Sequence, residues 1–300
     1  MIIAGAGLAG LLAASQFPNA YIIDKSTDTI LRYHKAVLRF RSSAIGDVLG
    51  IEFEPVTVYK SIYYKGKAYD KPSPAFMNLY SQKVSGAVIE RSIRHLDTVQ
   101  RWIAPLDFHE SLIQRFRSRI HWGESLESVS RENETIISTI PLPSVLDILE
   151  IEHDKVFNFL PITVLRLKIP KAKVYQTIYY PDNATNIYRA SITGDLLIIE
   201  AIGNEGVTDE ELFEVLESFG IESIDSYDHG SQEFGKIKSI DPSWRRKMVY
   251  TLTKDYRIYS LGRFATWNNI LLDHVLMDIY KIKKLIQMDS YQLKGFNHGL

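Results

Sequence analysis

Short apolar runs alternate with longer amphipathic stretches along this chain of 300 residues. Residues 2–3 and 21–23 are apolar runs typical of buried strands, and residues 8–17 have the apolar spacing of a helix. Alternation over residues 56–64 predicts a strand with one exposed face, and Lys65-Gly66 predicts the turn of a hairpin. The order strand, helix, strand at the start of the chain predicts an α/β fold.

The middle of the chain continues this mixed pattern without internal repeats. Residues 76–103 predict a long helix that Pro105 ends, and residues 36–43 fit either a strand or a tight turn. A capping box at Thr208 and Glu211 predicts the start of a helix that Gly220 ends. A helix is also predicted at residues 112–116, and strands are predicted at residues 119–122, 163–168, 174–180 and 196–200.

The first glycines have the spacing of a nucleotide-binding turn. Gly5 permits a tight turn, Gly7 lets the backbone approach a pyrophosphate, and Gly10 lets the helix pack closely on the sheet. The unpaired N–H groups at the start of that helix favour negative charge. Asp24 ends the second strand 19 residues after Gly5, where a carboxylate bonds a ribose hydroxyl. The pattern predicts a dinucleotide site, with an ordinary glycine-rich turn as the alternative.

The composition is that of a globular protein, with 45% hydrophobic and 24% charged residues. The chain has no cysteine, which excludes disulfides, thiolate nucleophiles and a cysteinyl-linked flavin, so redox chemistry requires a bound cofactor.

No apolar run is long enough to cross a membrane, and the first strand begins at Met1, so we expect a cytoplasmic protein without a signal peptide. His95, His109 and His121 lack metal-ligand spacing, and we expect surface or packing roles for them.

The charges are separated along the chain, although the net charge is only −1. Residues 190–235 contain twelve acidic residues and no lysine or arginine, which leaves a basic surplus elsewhere. Such a separation steers a polyanion, such as a nucleotide or nucleic acid, or it marks two solvated faces of opposite charge. The basic residues cluster at Arg39 and Arg41, at Arg91, Arg94 and Arg101, at Arg115, Arg117 and Arg119, and over residues 236–247.

Two further motifs accompany the glycine turn. Residues 134–143 (Glu-Thr-Ile-Ile-Ser-Thr-Ile-Pro-Leu-Pro) predict a buried strand that proline ends, followed by a short helix. Residues 258–267 (Ile-Tyr-Ser-Leu-Gly-Arg-Phe-Ala-Thr-Trp) precede a helical pattern. With these three motifs the chain resembles the superfamily of FAD proteins that contains the amine oxidases and UDP-galactopyranose mutase. Tyr179-Tyr-Pro-Asp182 and Tyr188-Arg189 are also similar to the substrate-domain strands of mutase-like members.

The resemblance implies a Rossmann-like FAD-binding domain of the GR2 type with an inserted α+β substrate domain. The FAD-binding domain would be discontinuous, over residues 1–60, 112–150 and 236–288. The substrate domain would occupy residues 61–111 and 151–235, and residues 289–300 would form a C-terminal tail.

The resemblance also assigns FAD contacts by position. The glycine turn would hold the pyrophosphate, Asp24 the adenosine ribose, and a helix starting over residues 269–272 the flavin pyrimidine ring. A helix N-terminus there would stabilise the negative charge of a reduced flavin. The residues implied in FAD binding are Gly5, Gly7, Leu8, Ala9, Gly10, Asp24, Lys25, Arg32, Leu126, Thr139, Pro141, Gly262, Arg263, Asn269, Ile270 and Leu271.

Departures from the family pattern argue against a mutase. Ile30 and Leu31 stand where the family usually has a Gly-Gly pair, although Arg32 keeps the register of the arginine that often follows. The glycine- and histidine-rich early loop of mutases is also absent. In the C-terminal motif Gly262, Arg263 and Asp273 match, whereas the residues that differ are Trp267, Asn268, Asn269 and Leu271.

The resemblance implies an oxidoreductase that takes hydride from a carbon beside an amine to flavin N5. We expect an amine or amino acid as substrate, or, as in compact phage-type flavoenzymes of thymine hypermodification, an amino acid attached to a modified thymine in DNA. DNA is a partner in that case. A sugar-nucleotide mutase using reduced FAD and a flavin-binding protein without catalysis are the alternatives.

Several side chains are candidates for the neighbourhood of the reacting carbon. An arginine there would suit a substrate carboxylate through bidentate pairing. Trp267 fits either the flavin pocket or the core. The candidates are His34, Lys35, Arg39, Arg41, Tyr179, Arg189 and Trp267.

Overall fold

The structure is a computed structural model that describes residues 1–27, 38–88, 90, 92–129, 134–170 and 174–297. The predicted roles of Arg32, His34 and Lys35 lie outside the described residues.

The described residues form strands and helices that alternate along the chain. The strands are β1 Ile2–Ala4, β2 Tyr21–Asp24, β3 Arg39–Phe40, β4 Glu54–Tyr64, β5 Lys67–Tyr69, β6 Val99–Ile103, β7 Ile120–Trp122, β8 Ile136–Ser138, β9 Phe159–Lys168, β10 Tyr175–Tyr179, β11 Ile187–Thr193, β12 Leu196–Ile202, β13 Ser226–Ile237 and β14 Ile258–Ser260. The helices are α1 Leu8–Gln16, α2 Ala44–Leu49, α3 Pro74–Ser85, α4 Phe108–Phe116, α5 Leu142–Ile148, α6 Asp209–Phe219, α7 Pro242–Tyr256, α8 Gly262–Ala265 and α9 Leu272–Asn297, with a 3₁₀ turn at Arg117–Arg119.

One sheet has five parallel strands in the order β14-β8-β1-β2-β7. Its strands are short isoleucine-rich runs because both faces are covered. Ile3, Ile22 and Ile137 pack with α1, α4 and α9 on one face. Ile2 and Ile136 pack with α5 and α7 on the other. Two helical layers around a parallel sheet are the arrangement of a dinucleotide-binding domain.

The second sheet has nine strands in the order β13-β9-β12-β11-β10-β4-β6-β3, with β5 paired to β4. All neighbours are antiparallel except β4 and β10. One face buries apolar side chains against α6, and the buried Val215 of α6 belongs to the same cluster as Ile178 and Leu197 of the sheet. The opposite face carries charged and polar side chains beside apolar ones, and α3 covers its part around Ile62 and Tyr188. We call this opposite face the polar face.

The predicted helix over residues 76–103 is wrong beyond Ser85. α3 ends there because Gly86 adopts a left-handed conformation with φ of +72°, and Gly86 N–H donates to the carbonyl of Gln82. The chain then returns as β6, in which Arg101 pairs with Val56 of β4. The apolar spacing of residues 99–103 suits a strand edge as well as a helix, and pairing with β4 decides between them.

Other predicted boundaries differ by a few residues. α4 begins at Phe108, and the residues before β7 form a 3₁₀ turn instead of the start of the strand. The capping box of Thr208 and Glu211 and the end of α6 at Gly220 are confirmed.

None of the helices in the described ranges is long and apolar enough to cross a membrane. Within the same ranges no three His, Asp or Glu side chains gather in a way that suits a metal ion.

Candidate functional site

The three sequence motifs meet at one edge of the parallel sheet. Ala4, Ser138 and Ser260 lie side by side at the carboxyl ends of β1, β8 and β14. Thr139 N–H donates to the carbonyl of Ala4 at 2.8 Å, and Leu261 N–H donates to that of Ser138 at 2.8 Å. Ligands of open parallel sheets bind at the carboxyl ends of the strands, so this edge is the candidate site.

The glycine turn is closed by Thr139 and leaves no room for side chains. Gly5 has φ of +106°, and a Cβ there would lie 2.3 Å from the Oγ1 of Thr139. A Cβ on Gly10 would lie 1.9 Å from the carbonyl oxygen of Gly5. Gly7 is the N-cap of α1, and no side chain of the described residues caps this N-terminus. The first turn of α1 therefore keeps backbone N–H groups for an anion.

The C-terminal motif packs directly on this turn. Gly262 has φ of +89°, and a Cβ on it would lie 3.1 Å from the Cβ of Ala9 in the first turn of α1. Thr266 hydroxyl donates to the carbonyl of Gly262 at 2.7 Å, which holds the short α8 in place. Residues more than 250 positions apart in sequence thus share one surface.

Asp24 is anchored at the end of β2. Its Oδ2 accepts the N–H of Ala6 at 2.8 Å, and its Oδ1 accepts the N–H of Ser26 at 2.9 Å as well as the Ser26 hydroxyl. An ionised carboxylate has about four acceptor positions, so capacity for a ribose hydroxyl remains. The neighbouring Lys25 is exposed, and Leu126 is buried in the core beside Ile23.

Three side chains of the C-terminal motif donate to backbone carbonyls at the end of β13 or just after it. Arg263 Nη2 donates to the carbonyl of Gly235 at 2.9 Å, and Asn269 Nδ2 to that of Ile237 at 3.4 Å. Trp267 Nε1 donates to the carbonyl of Lys238 at 3.0 Å. These side chains therefore tie the C-terminal motif to the end of β13, the edge strand of the nine-stranded sheet.

Trp267 itself is a core residue in this structure. It is 2% exposed, with φ of +43°, and its ring makes edge contacts with Phe157 and Phe234. The sequence is compatible with a place for Trp267 in the flavin pocket or in the core, and the packing favours the core. Ile270 and Leu271 precede α9, which begins at Leu272, the last residue of the range 269–272 predicted for its start.

The polar face carries a row of functional groups that the strand register aligns. Tyr179 of β10 pairs with Arg189 of β11, which pairs with Glu200 of β12. Side chains of directly paired residues point to the same face. Arg189 binds Glu200 through Nε and Nη2, and the Tyr188 hydroxyl donates to the same carboxylate at 2.7 Å.

Glu200 is the electrostatic centre of this row. Burial alone would raise its pKa, but the charge and hydrogen bonds of Arg189, with help from Lys236 and Tyr188, lower the pKa of Glu200 to about 2. The Glu200 side chain is 13% exposed and that of Arg189 is 39% exposed. The Arg189 side chain is therefore partly accessible to solvent, and its two bonds to Glu200 fix its orientation.

Arg39 reaches the same face from the far end of the sheet. Its Nε donates to the hydroxyl of Thr193 at 3.1 Å and its Nη1 to that of Thr177 at 2.9 Å, while Nη2 also donates to the carbonyl of Ile192. Burial, and then the charge of Arg189, lower the pKa of Arg39 to about 10. The predicted candidates Arg39, Tyr179 and Arg189 are therefore brought together.

Arg41 is exposed and lies beside the start of α9. The backbone N–H of Arg41 donates to Oδ1 of Asp273 at 2.9 Å, which ties the end of β3 to the first turn of α9. Its charge lowers the pKa of Arg101 and of Lys60, after burial as the main cause. Arg41, the third arginine among the predicted candidates, is thus close enough to Lys60 and Arg101 to affect their titration.

Sequence reasoning did not identify Lys60, Arg101 or Glu200 as site residues. The alternation over residues 56–64 does place Lys60 on one face with Ile62, and Arg101 belongs to a noted arginine cluster. Glu200 carries no such signal because its partner is set by the register of β11 on β12, which contains an irregularity between Ile187 and Arg189.

His109 is buried beside the glycine turn. Burial lowers its pKa, while a hydrogen bond with the backbone of Ala6 opposes that shift. A packing role agrees with its 3% exposure.

Two arginines that resembled a nucleic-acid patch are engaged within the fold. Arg119 donates to the carbonyls of Ala14, Phe17 and Ala20 at the end of α1, and Arg115 donates to that of Leu49.

No protein-family model matches this sequence, and a comparison with curated proteins finds no significant match. Solved structures of flavoproteins are similar in fold. A reduced UDP-galactopyranose mutase is 14% identical with a TM-score of 0.67, covering 96% of this chain and 93% of its own. A candidate protoporphyrinogen oxidase from Exiguobacterium sp. 255-15 is 12% identical with a TM-score of 0.61, over 97% and 98%. An oxidoreductase from Methanosarcina mazei is 10% identical with a TM-score of 0.58, over 94% and 99%.

This likeness extends over nearly the whole of each chain and defines the class of fold. The predicted class, an α/β protein with a Rossmann-like domain of the flavoprotein type, is confirmed. At these identities the likeness concerns the fold alone, and the domain boundaries remain a prediction.

Proposed function

We propose that this chain binds FAD at the edge formed by β1, β8 and β14 and oxidises a C–N bond of an amine or amino acid. The observation that carries the proposal is the meeting of three distant motifs around the glycine turn. Thr139 occupies the space that a side chain on Gly5 would need, and Gly262 contacts Ala9. A long dinucleotide is the kind of ligand that one such surface, assembled from both ends of a chain, would accommodate.

The residues at this edge fit a dinucleotide, although two predicted side-chain contacts, Arg263 and Asn269, are already bonded within the protein. The uncapped start of α1 suits a pyrophosphate, and Asp24 retains acceptor capacity for a ribose. Arg263 and Asn269 already donate to carbonyls of β13. Contacts from the C-terminal motif would therefore come from the backbone around Gly262.

Bound FAD would supply the hydride acceptor, leaving an imine that water can hydrolyse. Arg189, clamped by Glu200, would offer its Nη1 edge to a substrate carboxylate. Burial raises the pKa of Tyr179, so its hydroxyl stays protonated and can donate to the substrate. The surrounding cations would favour the neutral amine, which is the form that gives up hydride.

Anaerobic reduction of the bound flavin tests this chemistry. The expected result is bleaching of the flavin by a member of an amine and amino-acid panel, with much weaker bleaching in the Arg189→Met variant. Arg117→Met is the matched control, because this exposed arginine lies in the 3₁₀ turn. A flavin that stays oxidised with every amine and amino acid, yet accepts electrons from dithionite, would contradict amine oxidation.

A sugar-nucleotide isomerase is the second candidate, and the mutase-like structure with a TM-score of 0.67 favours it. The cationic residues Arg39, Arg41 and Arg189 would also suit a diphosphate. This candidate predicts turnover of a sugar nucleotide only after the flavin has been reduced, without net oxidation. The absence of turnover with the reduced protein would remove it.

A more specific version of the amine-oxidation proposal is that the amino acid is attached to a modified base in DNA. The exposed Arg41 and Arg94 would then contact a phosphate backbone. Arg115 and Arg119 contribute less, because their donors are used by carbonyls of the fold. Affinity for duplex DNA that falls steeply with salt would support this form, and no affinity at low salt would exclude it.

A further inference from the structure

A cavity of about 200 Å³ lies between the start of α6 and the turn that joins β10 to β11. Its lining includes Tyr63 and Tyr180, whose ring centroids are 5.8 Å apart. Both tyrosines belong to the apolar cluster that packs against α6. The cavity therefore lies on the side of the nine-stranded sheet that is opposite to the polar face, away from Arg189.

Acidic side chains dominate the rest of the lining. They are Asp182, Glu210, Glu211 and Glu214. The lining contains one cation, Lys65, whose Nζ lies over the ring of Tyr64 at 5.4 Å from the centroid. The three glutamates come from the segment 190–235, which has twelve acidic residues and no lysine or arginine. The charge separation of the sequence is thus concentrated at one cavity.

Hydrogen bonds hold the two sides of the cavity in place. Glu211 of α6 accepts the hydroxyl of Thr185 at 2.6 Å, which ties the helix to the turn after β10. From behind, Lys83 of α3 donates to the carbonyl of Tyr180 at 3.0 Å and to that of Asp182. The cavity is therefore a preformed feature of the fold, because both of its sides are anchored.

Three polar groups of the lining have no partner within the described part of the chain. Tyr63 is 8% exposed, and its hydroxyl takes part in no hydrogen bond there, whereas the hydroxyl of Tyr180 is bonded to Ser218 at 2.7 Å. The carboxylates of Glu210 and Glu214 accept no hydrogen bond and form no ion pair among the same residues. A buried hydroxyl without a partner is unusual, and a ligand that donates hydrogen bonds would satisfy it.

The half-buried Glu214 lies among other negative charges. Burial, and then the charge of Asp182, raise the pKa of Glu214. Glu211 and Glu217 add to this shift, whereas the charge of Lys83 opposes it. Like charges that are held together destabilise the free protein, and a cation placed between them removes that cost.

The lining favours an organic cation over a metal ion. Within the described ranges, no three His, Asp or Glu side chains gather in a way that suits a metal ion. The rings of Tyr63 and Tyr180 instead give the cavity an aromatic side, which suits an ammonium group on a short alkyl chain.

We propose that this cavity binds a compact alkylammonium ion, with the carboxylates of Glu210 and Glu214 and the hydroxyl oxygen of Tyr63 as acceptors for its N–H groups. The site is separate from the glycine turn and from the polar face. It therefore goes beyond the proposed function and does not require a bound flavin.

Calorimetric titration of the purified protein with 1,4-diaminobutane tests the site. We expect the wild type to bind this dication and not 1,4-butanediol, which has the same chain length without charge. Glu214→Gln should weaken binding by about tenfold or more, because one charged acceptor is lost. Tyr63→Phe should also weaken it, since only the hydroxyl is removed. Glu222→Gln is the matched control, because Glu222 is an exposed acidic residue of the same segment that does not line the cavity.

Several results would overturn the site. One is the absence of 1,4-diaminobutane binding by the wild type, and another is unchanged binding in both Glu214→Gln and Tyr63→Phe. Displacement of the diamine by an equal concentration of Mg²⁺ would show unselective attraction of cations. Both variants keep the shape of the side chain, so one remains informative if the other does not fold. Binding that is lost in Arg189→Met but unchanged in Glu214→Gln would place the amine on the polar face instead.

Discussion

Gly5 and Thr139 are so close that a Cβ on Gly5 would lie 2.3 Å from the threonine Oγ1. The Thr139 hydroxyl donates to the carbonyl of Ala4 at 2.9 Å, so it is held in place and cannot easily move away. The nucleotide turn and the mid-chain strand are thus fitted to one another, although they are more than 130 residues apart in sequence.

Gly5→Ala is expected to remove flavin binding and to destabilise the fold. The new methyl group would meet Thr139 in a backbone conformation that already disfavours side chains. Gly66→Ala is the control, because Gly66 also has positive φ, at +73°, but a Cβ on it would meet nothing within 4 Å. We expect the control to cost about 1 kcal/mol and to keep its flavin. Equal losses of stability and of bound flavin in both variants, measured by urea unfolding and flavin content, would contradict a specific steric role of the contact between Gly5 and Thr139.

Glu200→Gln is expected to lower stability at neutral pH by about 2 kcal/mol, between the values typical of exposed and buried ion pairs. The folded pKa of about 2 is below the unfolded value of 4.5, so the pair contributes fully above pH 4.5. That contribution is lost as the pH falls from 4.5 towards 2. The variant should therefore show a weaker dependence of unfolding free energy on pH in this window.

Asp195→Asn is the matched control for Glu200, since its pair with Lys168 is more exposed. It should cost less than about 1 kcal/mol. If the two variants lose equal stability, or if Glu200→Gln keeps the full acid dependence, the buried pair with Arg189 does not have the assigned role.

Trp267→Phe distinguishes the core role from a flavin-pocket role. The change leaves the carbonyl of Lys238 without its indole donor and creates a small cavity, so we expect a loss of about 2–3 kcal/mol. The absorption and fluorescence of bound flavin should stay the same. A shifted flavin spectrum with unchanged stability would place the indole against the flavin instead.

Much of the fold follows from local patterns. The glycine turn, the short isoleucine strands and the capping box of Thr208 each depend on neighbours within a few residues, so the sequence displays them. The strand at Val99–Ile103 was missed because its pairing with β4 lies about 40 residues away. Gly86 was the available signal that α3 ends.

The row of side chains around Arg189 is harder to predict, because its residues come together only through the register in which neighbouring strands pair. Tyr179, Arg189 and Glu200 form a row only when three strands pair in one alignment. Arg263 and Asn269 have the positions of cofactor ligands in the family pattern, yet their donors reach β13 carbonyls that no local pattern reveals. The position of a motif therefore predicts which surface forms, while the partner of each side chain depends on the fold.

The visible absorption spectrum of the purified protein, after incubation with excess FAD and removal of the unbound cofactor, shows whether the chain binds FAD at the glycine turn. We expect the two visible bands of oxidised flavin at close to one FAD per chain, and their loss in Gly5→Ala but not in Gly66→Ala. A folded wild-type protein with no flavin bands after this treatment would contradict FAD binding at this turn.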